Sequence, residues 1–250
     1  MPKIFPFSST SKGNCTLYIA EERVILIDCG VSFTRIKKAL EEHGLSFENV
    51  CAILLSHAHQ DHIAALPMLE KHTKIPIYAD GRTLAAAGVE GIDHGGAPFS
   101  VGDILITPIS TCHDCPGSCG YRLEQGEKIC AIVTDTGKIT PAMMEHLAGC
   151  ALILLESNYD PDMLNYGPYP PSLKERIRSD HGHLSNEDCA AILALFAMKG
   201  ALKTAVLGHL SDHNNTPLTA KKAILDTFAQ YGVEGVRLEI GGAWCPMLEI

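Results

Sequence analysis

The segment Ser56-His57-Ala58-His59-Gln60-Asp61-His62 packs four imidazole or carboxylate side chains into six residues. It follows directly on Cys51–Leu55, an apolar run of the kind that forms a buried strand. On a chain leaving a strand, side chains two apart project to the same side, so His57 and His59 can converge on one cation. Asp61 and His62, at the bend into a following helix, can face a second cation beside it. Imidazole nitrogens and carboxylate oxygens suit Zn²⁺, Mn²⁺ or Fe.

Four ligands do not close a two-metal site, and the sequence offers three more candidates. His113 follows the strand-like run ending near Ile109, Asp135 stands in Thr134-Asp135-Thr136-Gly137, and His209 follows the apolar run Ala205–Leu207. Each lies where a strand gives way to a loop, the usual place for function in layered α/β folds. His183 precedes Ser185, a helix cap where exposed N–H groups and the helix dipole favour an anion. A histidine there can hold a scissile phosphate or protonate a leaving oxygen. His181 reads as a bystander. Cys112, Cys115 and Cys119 form C-x-x-C-x-x-x-C around His113, but no second Cys/His pair at finger spacing completes a zinc knuckle. Lys174, Arg176 and Arg178 form a short basic run diluted by Glu175 and Asp180, which reads first as a solvated helix face and second as a phosphate contact.

These residues need a scaffold of strands, and the sequence supplies one. Strands are expected at 16–19, 24–28, 51–56, 75–78, 104–109, 120–123, 129–134, 151–155, 204–207 and 236–239. Several are continuous apolar runs, as strands covered on both faces are. Helices are expected at 33–43, 63–72, 141–147, 185–198 and 217–231; Ser185 with Asp188 three residues on marks the start of the fourth, and Gly200 its end. Met143, Met144, Phe196 and Met198 read as core. Short strands alternating with amphipathic helices indicate a layered α/β protein.

Composition narrows the class. The 250 residues fit one large domain, 1–250. The longest apolar stretch, Ala190–Met198, is nine residues, far short of a membrane span, and the N-terminal residues lack a secretory apolar region. With ten cysteines expected to stay reduced, the expectation is a cytoplasmic protein with no membrane partner. Twenty Lys+Arg against 29 Asp+Glu give a net charge of −9, so no global polyanion-binding surface is indicated. The glycines Gly81, Gly88, Gly91, Gly95 and Gly96 match no nucleotide-binding fingerprint.

In chain order, Asp28, then His57, His59, Asp61 and His62, then His113, Asp135 and His209 resemble the signature of the metallo-β-lactamase-fold hydrolase superfamily. Ser8-Ser9-Thr10-Ser11-Lys12-Gly13-Asn14, Glu156–Leu164, Gly167–Pro170, Leu173–Ile177, Gly182–Asn186 and His209–Ser211 with Asn214-Asn215 are similar to blocks of its YycJ/WalJ group. Thr10 and Lys12 interrupt that group's serine run, and Cys115 and Cys119 enrich the loop after His113.

The resemblance implies a four-layer αββα sandwich with two divalent metal ions at one edge of the sheets. It implies that His57, His59 and His113 hold the first ion, that Asp61, His62 and His209 hold the second, and that Asp135 bridges them. Asp28 would orient the histidine loop, with Asp61 and His183 as the catalytic candidates. Paired ions activate water and clamp both oxygens of an in-line displacement, which suits phosphodiester hydrolysis. Group members are DNA exonucleases acting from 5′ ends, so the expected partner is nucleic acid, DNA before RNA. A small-molecule hydrolase of the same fold (thioesterase, lactonase or cyclic phosphodiesterase) is the alternative, and a non-catalytic metal-binding protein a more distant one.

Overall fold

The apolar runs become the middle strands of two seven-stranded sheets. A computed structural model describes residues 1–243 and 245–250. Strands β1 (Lys3–Thr10), β2 (Gly13–Ala20) and β3 (Arg23–Ile27) open the chain, and helix α1 (Phe33–Glu41) returns it to β4 (Val50–Leu54). Helices α2 (Gln60–Ile63) and α3 (Leu66–His72) lead to β5 (Ile77–Ala79), and α4 (Gly81–Ala87) to β6 (Ile92–Asp93). The second sheet begins with β7 (Phe99–Val101), β8 (Ile104–Ser110), β9 (Cys119–Gln125) and β10 (Lys128–Val133). Helix α5 (Pro141–Leu147) precedes β11 (Leu152–Glu156), and α6 (Pro161–Tyr166), α7 (Pro171–Arg178) and α8 (Asn186–Met198) precede β12 (Thr204–Gly208). Helix α9 (Pro217–Gln230), β13 (Arg237–Ile240) and β14 (Leu248–Glu249) close the chain.

Strand order is β14-β1-β2-β3-β4-β5-β6 in one sheet and β13-β12-β11-β10-β9-β8-β7 in the other. Each sheet is antiparallel at its start and parallel further on, with β3, β4, β5 and β6 parallel in the first and β10 to β13 in the second. A central apolar layer joins Tyr18, Ile25 and Leu54 of the first sheet to Tyr121, Ile132, Leu154 and Val206 of the second. On the outer faces, α1, α3 and α4 cover the first sheet while α5, α8 and α9 cover the second. The architecture is the expected αββα sandwich, and strands buried on both sides explain the unbroken apolar runs.

Several expectations change in detail. Residues 63–72 form no single helix, because the helix starts earlier, at Gln60, and breaks at Ala64 and Ala65 before α3. Strand β1 lies outside the expected strands, and its Ser8 and Ser9 are buried. Helices α4 and α6 also lie outside the expected set. Met143 and Phe196 are core, but Met198 is 51% exposed at the end of α8. Ser185 does cap α8, its hydroxyl accepting from the Asp188 N–H at 3.0 Å and donating to the Asp188 carboxylate at 2.6 Å.

Candidate metal centre

The carboxyl ends of β3, β4, β8, β10, β11 and β12 share one edge of the sandwich, and the candidate ligands follow those ends. The histidine loop is fixed from several directions. Tyr121 Oη donates to the Leu55 carbonyl at 2.7 Å, the Cys119 N–H to Ser56 O at 3.0 Å, and the Cys29 N–H to His62 O at 2.8 Å. Gly30 lies under the loop so closely that a Cβ there would sit 1.6 Å from Asp61 O. Among the described residues four non-glycines have positive φ, and three of them are Asp28 (58°), Asp135 (56°) and His209 (52°), each just past a strand end. A left-handed backbone costs an L-residue ~1 kcal/mol or more, a strain concentrated where the side chains carry chemistry.

The hydrogen-bond network assigns the imidazole tautomers. Ser56 Oγ lies 2.8 Å from Asp28 Oδ2 and donates to it, so it can only accept from His57 Nδ1 at 3.0 Å. His62 Nδ1 donates to Asp28 Oδ2 at 2.7 Å, His113 Nδ1 to Gly182 O at 3.2 Å, and His209 Nδ1 to Glu156 Oε1 at 2.9 Å. In the neutral form of each ring Nε2 therefore carries the lone pair, and these nitrogens converge. His57 Nε2 lies 3.1 Å, and His113 Nε2 3.3 Å, from His59 Nδ1. His209 Nε2 lies 3.2 Å from Asp61 Oδ2 and 3.4 Å from Asp135 Oδ1, while His62 Nε2 lies 3.2 Å from Asp135 Oδ2.

Acceptors facing one another at such distances repel unless positive charge lies between them. Asp135 Oδ2 is decisive here, being buried and without any hydrogen-bond partner although His62 Nε2 is close. A cation held between these groups would satisfy it. Four overlapping sets among the described residues can hold metal: His57, His59 and His113; His57, His62 and Asp135; Asp61, His62 and His209; and Asp135, Glu156, His183 and His209. All seven expected ligands are thus brought together, with Asp135 between the two groups.

Electrostatics agree with this donor set. Burial pushes the His57 and His59 rings below their ordinary range, which keeps their lone pairs free. Burial also works against charging His209, but the Asp135, Asp61 and Glu156 carboxylates carry its pKa up to about 10. Asp135 is held well below the usual carboxylate range because the His209, His62 and His57 rings outweigh its burial. The cage attracts positive charge.

Glu156 is the residue that sequence reasoning missed. It is fully buried, yet its carboxylate takes four hydrogen bonds: Oε1 from His183 Nδ1 (2.8 Å) and His209 Nδ1 (2.9 Å), Oε2 from the Thr136 and Leu184 N–H groups (3.0 and 3.1 Å). Burial opposes its ionisation, but the His183 and His209 contacts hold its pKa near about 2. His183 is thereby drawn beside the cage, its Nδ1 3.8 Å from Asp135 Oδ1. Asn14 was also missed; its amide nitrogen lies 3.0 Å from His62 Nε2 and 3.3 Å from Asp61 Oδ2. Ser9 Oγ accepts the His209 N–H at 2.9 Å, so the serine-rich β1–β2 hairpin props the late histidine.

Residues 23–209 match the beta-lactamase superfamily domain. The chain belongs to that superfamily. Among its relatives it is 31% identical over 239 residues to exodeoxyribonuclease YycJ of Bacillus anthracis, covering 90% of this chain and 88% of that protein. Identity to exodeoxyribonuclease WalJ of Streptococcus pneumoniae is 31% over 234 residues, 89% and 87% of the two chains. The fold matches that of the metallo-β-lactamase fold protein YhfI of Bacillus subtilis over the full length of both, with a TM-score of 0.76 at 19% identity. The chain is a metal-dependent hydrolase of this superfamily.

Other sequence features take lesser places. Among the described residues no potential metal-holding group contains a cysteine, so no zinc knuckle forms around His113. Cys115 and Cys119 are buried as small apolar groups. His181 is exposed. Lys174, Arg176 and Arg178 lie on or at the end of α7, with Arg176 paired to Asp114 through bonds of 2.5 and 2.9 Å. No described helix is long and apolar enough to cross a membrane.

Proposed function

We propose that this protein is a two-metal phosphodiesterase acting on nucleic acid, a 5′-to-3′ exonuclease on double-stranded DNA. The orphaned Asp135 Oδ2 between two opposed ligand sets is the observation that carries the metal assignment. The choice of nucleic acid is supported by relatives named exodeoxyribonucleases along nearly the whole chain. His57, His59 and His113 would hold one ion, Asp61, His62 and His209 the other, and Asp135 would reach both. Zinc and manganese both fit these ligands. Once bound, the ions supply an activated water and charge stabilisation for an in-line displacement at phosphorus.

The chain's own groups do the rest. Asp61 stays ionised, because the His209 and His62 contacts outweigh its burial and hold its pKa far below the usual range. Its carboxylate can therefore accept a hydrogen bond from the attacking water and orient it. His183 donates its Nδ1 hydrogen to Glu156; in the imidazolium form, whose charge faces that carboxylate, Nε2 carries a second proton that it hands to the leaving oxygen, and the ring returns to the neutral Nδ1–H form. Asp28 and Ser56 lock the rings of His57 and His62, so the ligand geometry is set before substrate arrives.

A single-domain reading of 1–250 is supported by a central apolar layer that runs from Ile4 to Ile250. A cytoplasmic setting is supported by ten unpaired cysteines. A small-molecule hydrolase needs a compact pocket at the metals. A cavity of ≈ 630 Å³ near α9 is lined by residues such as Leu210, Thr216, Leu218 and Ile240 and by none of the expected ligands. The deciding experiment is digestion of end-labelled DNA and RNA with Mn²⁺, Zn²⁺ or chelator. Metal-dependent release of mononucleotides from the 5′ end of duplex DNA is expected. Hydrolysis of thioesters or lactones with both polymers left intact would overturn the reading.

A further inference from the structure

Helices α6 and α7 form an arm outside the two sheets, with a small core of its own built from Tyr159, Leu164 and Ile177. It is fastened at both sides of the metal centre. On one side Arg176 is paired with Asp114, whose carboxylate lies 3.5 Å from His113 Nε2, and the arm's last turn passes Gly182 O to His113 Nδ1. On the other side the Asp160 N–H bonds to Asn214 O at 2.8 Å, and the Tyr169 ring stands edge-on to His213 at 5.6 Å. The arm thus spans from the His113 side to the loop that follows His209.

Its outer surface joins two features that suit one ligand. Tyr166 is 87% exposed, the most exposed of the chain's large apolar side chains among the described residues. Beside it, Lys174 Nζ bonds to Asn165 O at 2.8 Å and an Arg178 guanidinium nitrogen to Asn165 Oδ1 at 2.5 Å. Both partners are neutral oxygens, so both cations are positioned while keeping their charge. By contrast, Lys12, Arg176 and Lys138 are each neutralised by an aspartate. An aromatic face next to oriented, uncompensated cations is how proteins hold single-stranded nucleic acid, with bases stacked and phosphates paired.

We propose that the α6–α7 arm is a subsite for a single-stranded stretch of polynucleotide, with a base on Tyr166 and backbone phosphates on Lys174 and Arg178. The inference rests on the nuclease reading and names the form in which the strand reaches the metals: unpaired from its complement.

The test is fluorescence-anisotropy binding of a phosphorothioate-linked oligothymidylate to the metal-loaded protein over a range of salt. Tyr166→Ala should weaken binding about 10-fold, and Tyr166→Phe should restore it. Lys174→Ala and Arg178→Ala should each flatten the log–log salt slope by about 0.7, whereas Lys37→Ala, on α1, should not. Wild-type failure to bind the strand, or unchanged affinity in Tyr166→Ala and in the double cation variant, would overturn the subsite. Cleavage of end-labelled DNA is scored separately. A protein that binds through the arm but cuts no nucleic acid would sink the nuclease reading alone; one that cuts DNA with an indifferent arm would sink this inference alone.

Discussion

Replacing Glu156 by Gln changes almost no volume but removes one of the carboxylate's two acceptor oxygens. The four groups it serves are all donors: two backbone N–H groups on Oε2 and two imidazole N–H groups on Oε1. A glutamine must turn its NH₂ toward one pair. Facing Thr136 and Leu184 leaves two buried N–H groups opposed by donors, at ~1–3 kcal/mol each. Facing the histidines is cheaper, because a ring can move its proton from Nδ1 to Nε2. That shift puts a hydrogen on the His209 nitrogen aimed at Asp61 and Asp135, where a metal ligand needs a lone pair. Either His209 ligates and opposes the amide, losing a charge-assisted hydrogen bond of ~1.5–3 kcal/mol, or it stops ligating. The range corresponds to roughly 10–100-fold in metal affinity, the usual effect of a lost outer-shell partner. Calorimetric titration with Mn²⁺ should show the Asp61–His62–His209 ion weakened by that factor and the His57–His59–His113 ion unchanged. Two ions bound with wild-type affinities in Glu156→Gln would refute the tautomer argument.

Further outcomes follow from the same geometry. His183→Ala should slow hydrolysis by about 10²-fold with metal content unchanged by elemental analysis; loss of metal would make His183 a ligand instead. Gly30→Ala, whose Cβ would press on Asp61 O, should destabilise the protein by ~1–3 kcal/mol in urea titration and weaken metal binding, and a neutral result would mean the loop is less constrained than its packing implies. Metal bound at 100 times its Kd adds ~2.7 kcal/mol, so a chelator should lower the Tm by ~5–10 °C in calorimetry. Eight cysteines are buried, with thiols such as Cys150 pushed up to about 11 and Cys119 to about 12 by burial. An aromatic disulfide reagent at pH 8 should therefore modify Cys112 first, Cys51 more slowly because burial also pushes its thiol up, and the other eight only after denaturation.

Much of the fold was legible because strands covered on both sides must be apolar throughout. Leu152–Glu156 and Thr204–Gly208 are buried at every position, and a continuous run of that length between turn residues has few other homes. Strand β1 hides because only Ile4 and Phe7 of it are core, while its buried serines make polar contacts: Ser8 bonds Gly13 O and Ser9 holds the His209 N–H. Polar residues spent on distant partners look like loop. The Gln60 start of α2 was obscured for a related reason, since His59 is the N-cap and makes no capping bond. The candidate ligands themselves were readable from their positions at strand ends. Glu156 was not, because its role depends on register. The pairing Glu156↔Gly208 sets it beside His209, 53 residues away, and no local pattern encodes that.

The charge of the cage decides how an acidic chain could draw in phosphate. Counting four positive charges from two divalent ions against the chain's −9 treats the centre as a source of attraction for phosphate. The structure gathers Asp28, Asp61, Asp135 and Glu156 around the imidazoles within hydrogen-bond reach of one another's partners. Four carboxylates would balance two divalent ions, so a centre loaded in that way would be close to neutral at a distance and would act on phosphate only through contact. Attraction over a longer range must come from cations the carboxylates do not claim. Around the mouth the aspartates claim Lys12, Lys138 and Arg176, while Lys174 and Arg178 rest on neutral oxygens of Asn165. With few free cations near the site, the salt slope for substrate capture should be shallow, of order one to two by the ~0.7 per single-strand phosphate. A slope several times steeper would require a basic surface that the sequence does not contain.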